Sequence, residues 1–187
     1  DALPIWMQQW QFENEAALQQ KRIELEELYQ KVGTSVKPLV LIQIPTADAG
    51  DLKIEAIKEF LSGKGINEDN NRLAIWLSEQ KSNTIGELAS AESPVEFLIF
   101  KQAIDTGWDC PRAQILVKFR EVRNEVFEIQ TVGRILRMPE QKHYEEEPLN
   151  KAYIFTNLES FDVKKEDYNP NIINHLKATR VKRYKPL

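Results

Sequence analysis

Cysteine is almost absent from this 187-residue sequence, in which Cys110 is the only one. A single thiol excludes an internal disulfide, and the two histidines stand apart from it, so no metal-ligand spacing emerges. Apolar runs are also short, and none approaches the roughly 18 residues that would cross a bilayer. The N-terminal residues lack the basic and apolar regions of a secretion signal. These absences predict a cytoplasmic protein with no metal site and no membrane partner.

Glycine is scarce too, and the seven glycines form no G-x-x-x-x-G-K-[ST] phosphate-binding loop. No D-E-x-H or D-E-A-D box is present to hold magnesium, and no P-D…E-x-K nuclease constellation appears. We therefore expect this chain alone neither to hydrolyse nucleoside triphosphates nor to cut nucleic acid. Because it begins with Asp1 and not with methionine, we also expect it to be part of a longer protein.

The net charge of −4 argues against indiscriminate binding to nucleic acid, but the charges are unevenly distributed. Residues 1–37 carry six acids against four bases, whereas residues 164–187 carry seven bases against two acids. The basic end could contact phosphate groups. A basic end that is simply solvated is the slightly favoured alternative.

Five short apolar runs predict the core of the fold, at residues 39–44, 73–77, 97–100, 115–119 and 152–155. They are apolar continuously and do not alternate with polar residues, which is typical of strands buried on both faces. Helical patterns separate most of them, at residues 52–61, 84–90 and 128–137. This alternation predicts an α/β fold with a parallel sheet sandwiched by helices.

The ends of the chain differ from this core. A segment rich in Glu, Gln, Leu and Ala predicts a helix over residues 10–31, with Gly33 as its stop. The predicted organisation is therefore an N-terminal helical extension over residues 1–36, one α/β domain over residues 37–160, and a basic extension or linker over residues 161–187.

The loop after the third run is the first candidate site, because ligands of parallel sheets bind outside the carboxyl ends of the strands. This loop reads Asp-Thr-Gly-Trp-Asp over residues 105–109. Gly107 allows a backbone conformation closed to other residues, and Asp109 can accept hydrogen bonds from ribose hydroxyls or pair with an arginine. Simple capping of turns by the two aspartates is about equally favoured.

The predicted helix over residues 128–137 supplies the second candidate site. At about 100° per residue, its apolar side chains share one arc of roughly 120°, while Gln130, Arg134 and Arg137 fall within roughly 60° of one another on the opposite side. Arginines present planar forks of donors that suit phosphate oxygens, and an amide can orient a water molecule. A merely solvated cationic face is the favoured alternative from helical spacing alone.

Together these two stretches resemble motifs of the superfamily 2 helicases and translocases. IDTGWDCPRAQIL resembles motif V, and QTVGRILR resembles motif VI with its Gln-x-x-Gly-Arg-x-x-Arg pattern. Three longer stretches are similar to the restriction subunit of type III restriction-modification enzymes: FKQAIDTGWDCPRAQILVKFRE, QTVGRILRMPE and LNKAYIFTN. The resemblance covers residues 38–157 and implies the second RecA-like motor domain of such an enzyme.

The resemblance also implies roles for individual residues. Arg137 would be an arginine finger that reaches the γ-phosphate of ATP bound on the other motor domain. Arg134 would contact phosphate or hold the cleft together, and Gln130 would help to position the attacking water. The residues against the nucleotide would be Gly107, Asp109 and Gly133.

The implied ligands and partners follow from the same family. Lys101, Gln102 and Thr106 would contact the DNA backbone. Either Gln43 or Thr46 would touch nucleotide or DNA, although a buried strand explains this stretch at least equally well. ATP would be the nucleotide, with Mg²⁺ held mainly by the N-terminal RecA-like domain of the same subunit. The partners would be DNA, that domain and a methyltransferase subunit. A RecA-like module without catalysis, which docks partners through its tryptophan-bearing N-terminal helix or its basic tail, is the alternative.

Overall fold

The computed structural model of the chain describes residues 5–44, 49–77, 79–101, 108–119, 135 and 137–156, except for the side chains of residues 5–16 and 49–52. Its elements are α1 (Ile5–Lys31), β1 (Leu39–Gln43), α2 (Ala49–Gly63), β2 (Leu73–Trp76), β3 (Phe97–Phe100), β4 (Ala113–Lys118) and β5 (Tyr153–Thr156). Short 3₁₀ helices lie at Asn83–Glu87 and Glu147–Asn150. All five predicted strands are present, each within two residues of its predicted bounds.

The strands form a single sheet in the order β2-β3-β1-β4-β5, and every pairing is parallel. The central strand β1 is buried along its whole length, as are β3 and β4. The apolar runs therefore belong to buried parallel strands, and the predicted α/β fold is confirmed. The arrangement is consistent with a RecA-like domain.

Side chains from alternate positions of the strands enter two separate apolar layers, one on each face of the sheet. The first layer packs against the helices and includes Leu25 of α1, Ile54 of α2 and Ile42 of β1. The second layer includes Leu41 of β1 and packs against Ile135 and the 3₁₀ helix Asn83–Glu87. Both helices whose bounds are given above thus contact the same face of the sheet.

The helix α1 is tied to the sheet by more than apolar contact. Tyr29 is completely buried, and its hydroxyl donates a hydrogen bond of 2.6 Å to Oε1 of Gln114 in β4. The Gln114 amide nitrogen donates in turn to the carbonyl of Leu149 at 2.9 Å. The helix ends as predicted before Gly33, whose φ of +80° is one that glycine adopts without strain. The domain boundary predicted at residue 36 stays a prediction.

Candidate functional site

The strand order defines where a ligand of this sheet would bind. The connection that leaves β1 runs towards the edge of the sheet formed by β2. The connection that leaves β4 runs the opposite way, towards the edge formed by β5. In parallel sheets, such a reversal opens a crevice outside the carboxyl ends of the two neighbouring strands. Here these strands are β1 and β4, and their last residues, Gln43 and Lys118, are partners in the register.

Two polar side chains are buried at the ends of these strands. Gln43 is 1% exposed and Lys118 is 2% exposed, and the Gln43 side-chain nitrogen has no hydrogen-bond partner in the part of the chain that the structure describes. Lys53 of α2 lies close by, with its ammonium nitrogen 4.4 Å from the centre of the Phe119 ring. Burial lowers the pKa of Lys53. Of the two interpretations of Gln43, its place in a buried strand is observed, and contact with nucleotide or DNA stays a prediction. Lys118 was not predicted as a site residue, and its only signal is a lysine at the end of an apolar strand.

An ion pair joins the two predicted sites. A guanidinium nitrogen of Arg137 lies 2.6 Å from a carboxylate oxygen of Asp109, and the two side chains are 50% and 52% exposed. Residues 28 positions apart in the sequence therefore meet at the surface, one from the stretch that resembles motif V and one from the stretch that resembles motif VI. Asp109 adopts the second of the two roles considered for it, pairing with an arginine.

The position of Asp109 is set by its two neighbours. On one side, Trp108 contacts Trp76 at the end of β2, with ring centroids 6.3 Å apart and planes at 82°. On the other side, the Cys110 thiol is buried and donates to the carbonyl of Leu88 at 3.2 Å. Because both neighbours are held by the second apolar layer, the carboxylate between them is presented outward at a fixed place.

A buried arginine, Arg112, stabilises the segment that carries Asp109. Arg112 is 1% exposed, and its guanidinium donates to three backbone carbonyls, those of Leu88 at 2.6 Å, Lys37 at 2.8 Å and Val95 at 3.0 Å. Burial lowers the pKa of Arg112. These bonds join the segments that lead into β1, β3 and β4. Arg112 was part of the motif read from the sequence, but its structural role was missed.

The neighbouring thiol is not a reactive group. Burial raises the pKa of Cys110 to about 11, although Arg112 acts in the opposite direction. A thiol is nucleophilic as a thiolate, and this one stays protonated at neutral pH. Cys110 therefore belongs to the packing that supports Asp109.

The other predicted site residues fall into two groups. Ile135 is buried, with a helical backbone, and Arg137 is half-exposed with a backbone that is not helical. The rest of the helix predicted over residues 128–137 lies outside the described residues, so its two faces stay a prediction. Lys101 follows the end of β3 and is partly buried. Also outside the described residues lie Thr46, Gln102, Thr106, Gly107, Gln130, Gly133 and Arg134, so their predicted roles remain predictions.

Within the described part of the chain, no group of three or more His, Cys, Asp or Glu side chains could hold a metal ion. None of the helices described is long and apolar enough to cross a membrane. His143 is exposed. In comparisons with known proteins, no protein-family model matches the chain, and no curated protein matches it either.

Proposed function

We propose that this chain is the second RecA-like motor domain of an ATP-dependent DNA translocase or helicase, similar to the restriction subunit of type III restriction enzymes. The observation that carries the proposal is the contact between Arg137 and Asp109. It brings together two residues that the resemblance assigns to one nucleotide site, on a parallel α/β sheet of the expected kind. It also leaves the guanidinium half-exposed.

The chemistry of Arg137 fits a triphosphate. Transfer of a phosphoryl group needs cations where negative charge develops, and an arginine supplied by a second domain contributes about 10³ to 10⁵ in rate. The guanidinium is held by one exposed carboxylate, and exposed ion pairs are worth only about 0.2–1 kcal/mol. A triphosphate on the other motor domain can therefore compete with Asp109 for Arg137 when the two domains close.

This competition suggests how hydrolysis and movement are linked. With the domains apart, Arg137 stays on Asp109; with the domains closed, it exchanges that carboxylate for phosphate oxygens. Asp109 is then free to accept hydrogen bonds from ribose hydroxyls, the other role considered for it. Because the exchange requires closure, turnover is tied to domain motion, and repeated motion moves the protein along DNA.

The remaining parts of the proposal rest on the resemblance. The N-terminal RecA-like domain would hold ATP and most of the Mg²⁺ coordination, and Gln130 and Arg134 would complete the site from this chain. Lys101, Gln102 and Thr106 would contact the DNA backbone. A methyltransferase subunit would recognise the DNA sequence, and the assembly would act in the cytoplasm.

One observation favours a second candidate. Arg137 is already neutralised by a carboxylate of its own chain, which is what a module without catalysis would also show. Such a module would keep the fold and dock partners through α1 or the basic C-terminal residues. The two candidates differ in whether removal of Arg137 affects turnover.

The decisive experiment uses the longer subunit that carries both motor domains. Arg137→Ala should lower DNA-stimulated ATP hydrolysis by about 10³-fold or more, with DNA binding retained. Lys151→Ala is a matched control, because it removes an exposed lysine that is paired with the exposed Glu147 at 2.6 Å. Unchanged turnover in the Arg137 variant would reject the motor and leave the interaction module.

A second experiment uses the 187-residue chain itself. Fluorescence anisotropy with a labelled oligonucleotide and with a fluorescent ATP analogue should show weak binding of both, and DNA binding should weaken steeply with salt. Tight binding or turnover of ATP by this chain alone would contradict the assignment of only half the nucleotide site to it.

A further inference from the structure

The segment that follows Arg137 is a tight turn with a defined geometry. The amide of Gln141 donates to the carbonyl of Met138 at 3.2 Å, and Pro139 lies at the first central position of the turn, where its fixed φ is suited. Gln141 has a φ of +52°. Only Met138 and Pro139 separate Arg137 from Glu140, so the contacts that hold Glu140 also limit the space that Arg137 can reach.

Two polar side chains hold Glu140. Its carboxylate accepts a hydrogen bond from the Tyr144 hydroxyl at 3.2 Å and pairs with the Lys142 ammonium at 2.7 Å. The side chain of Thr34 lies nearby. These donors, above all the lysine, lower the pKa of Glu140, so the carboxylate is ionised at neutral pH.

Thr34 belongs to a different part of the fold. It follows the end of α1, and its amide donates to the carbonyl of Tyr29 at 3.0 Å. The side chain of Thr34 lies close enough to Glu140 to lower its pKa, so the C-terminal turn of α1 lies beside the turn that follows Arg137. The two residues are 106 positions apart in the sequence.

Tyr144 carries the same connection into the core. It is 7% exposed, and its ring meets the ring of Tyr29 edge to face, with centroids 5.3 Å apart. Tyr29 is bonded to Gln114 in β4, five positions after Asp109. A continuous set of contacts thus runs from Glu140 through two tyrosines to the strand behind Asp109.

From this geometry we infer that Glu140 is a positioning residue for Arg137, fastening the turn after the arginine to the end of α1 so that the guanidinium meets its partner. The inference rests on the proposed function for its catalytic consequence. It assigns α1 a second role besides packing, because a displacement of α1 would move Glu140 and with it Arg137.

The first test is structural and uses the 187-residue chain. Glu140→Ala should speed hydrogen exchange at the amides of Gln141 and Tyr144, which are bonded to the Met138 carbonyl and to Asn150 Oδ1 at 2.8 Å. Glu147→Ala is the control, since Glu147 is an exposed carboxylate that pairs only locally with Lys151 among the contacts described. Equal exchange in wild type and Glu140→Ala would overturn the inference.

The second test uses the subunit with both motor domains. Glu140→Ala should lower kcat by about 10- to 100-fold with KM nearly unchanged, because misplacement by about 1 Å has effects of this size. Glu140→Gln should restore most of the activity, since its amide oxygen still accepts from the Tyr144 hydroxyl. Less folded protein, with kcat and KM of the folded fraction unchanged, would identify a merely structural glutamate and overturn the positioning role.

Combination with Arg137→Ala separates the two proposals. If Glu140 acts through Arg137, Glu140→Ala should cause no further loss in the Arg137→Ala background. A full additional loss there would overturn the positioning role while leaving the motor intact. Normal turnover of Arg137→Ala would instead reject the motor, and faster exchange in Glu140→Ala would then still establish that Glu140 anchors the turn.

Discussion

Two arginines of this chain, Arg112 and Arg137, are held in opposite ways. Arg112 is enclosed, bonded to three carbonyls from three separate segments. Arg137 is half-exposed, with Asp109 as its ion-pair partner. Removing the first leaves the carbonyls of Lys37 and Val95 without its donors and leaves that of Leu88 only the Cys110 thiol. The second can exchange its partner with water or with another anion. The comparison separates an arginine that stabilises the fold from one that is available to a ligand.

The largest expected effect is the loss of stability when the buried Arg112 is replaced. Arg112→Met should lower the free energy of unfolding by about 3–5 kcal/mol. The carbonyls of Lys37 and Val95 lose the guanidinium donor, the Leu88 carbonyl keeps only the Cys110 thiol, and methionine supplies no donor. Urea unfolding followed by circular dichroism measures the change. Arg137→Ala, the matched control, should change the same quantity by less than about 1 kcal/mol.

Equal losses in the two variants would contradict the distinction. Arg112→Lys offers a finer check, since an ammonium can reach one or two of the carbonyls but lacks the planar fork of a guanidinium. It should fall between wild type and Arg112→Met. A stability equal to wild type would show that the three bonds contribute little.

A smaller effect is the pH dependence of stability that the buried Cys110 thiol causes. Because burial raises the pKa of Cys110 to about 11, the unfolded chain releases this proton at a lower pH than the folded chain does. The stabilisation is complete below about pH 8.5, the ordinary thiol pKa, and is lost as the pH rises towards 11. From one group, the free energy of unfolding falls by at most about 1.4 kcal/mol per pH unit.

The measurement is urea unfolding at pH 8 and at pH 10, for wild type and for Cys110→Ala. Wild type should lose about 1–2 kcal/mol more than the variant between the two pH values. The raised pKa values of Tyr29 and Tyr144 act in the same direction, but they cancel in the difference between the two proteins. Identical losses would show that the thiol titrates normally and is not enclosed.

The sequence predicts the sheet well because the relevant signal is local. A strand buried on both faces has to be apolar at nearly every position, so the runs that contain Leu39–Gln43 and Phe97–Phe100 are legible without any knowledge of their neighbours. The ion pair was also within reach, since Asp109 and Arg137 lie in stretches with recognisable motifs. That the two make contact is a property of the fold.

The missed features depend on contacts between distant segments. Arg112 acts through carbonyls of Lys37, Leu88 and Val95, and a carbonyl leaves no trace in the identity of the residue that carries it. Tyr29 and Gln114 are 85 positions apart and become informative only as a pair. Polar groups that are satisfied by tertiary contacts of this kind resemble ordinary surface residues in the sequence.

The smallest expected effect is the coupling energy of the exposed ion pair between Asp109 and Arg137. A double-mutant cycle with Asp109→Ala and Arg137→Ala should give a coupling energy of about 0.2–1 kcal/mol at low salt, decreasing towards zero near 1 M salt, because an exposed ion pair is screened. The pair Glu147–Lys151, also joined at 2.6 Å and more exposed, provides the reference cycle and should give a similar or smaller value. A coupling energy above about 2 kcal/mol that persists at high salt would make Arg137 a structural arginine like Arg112. A phosphate could not then displace Asp109 at low cost, and the interaction module would become the better account of this chain.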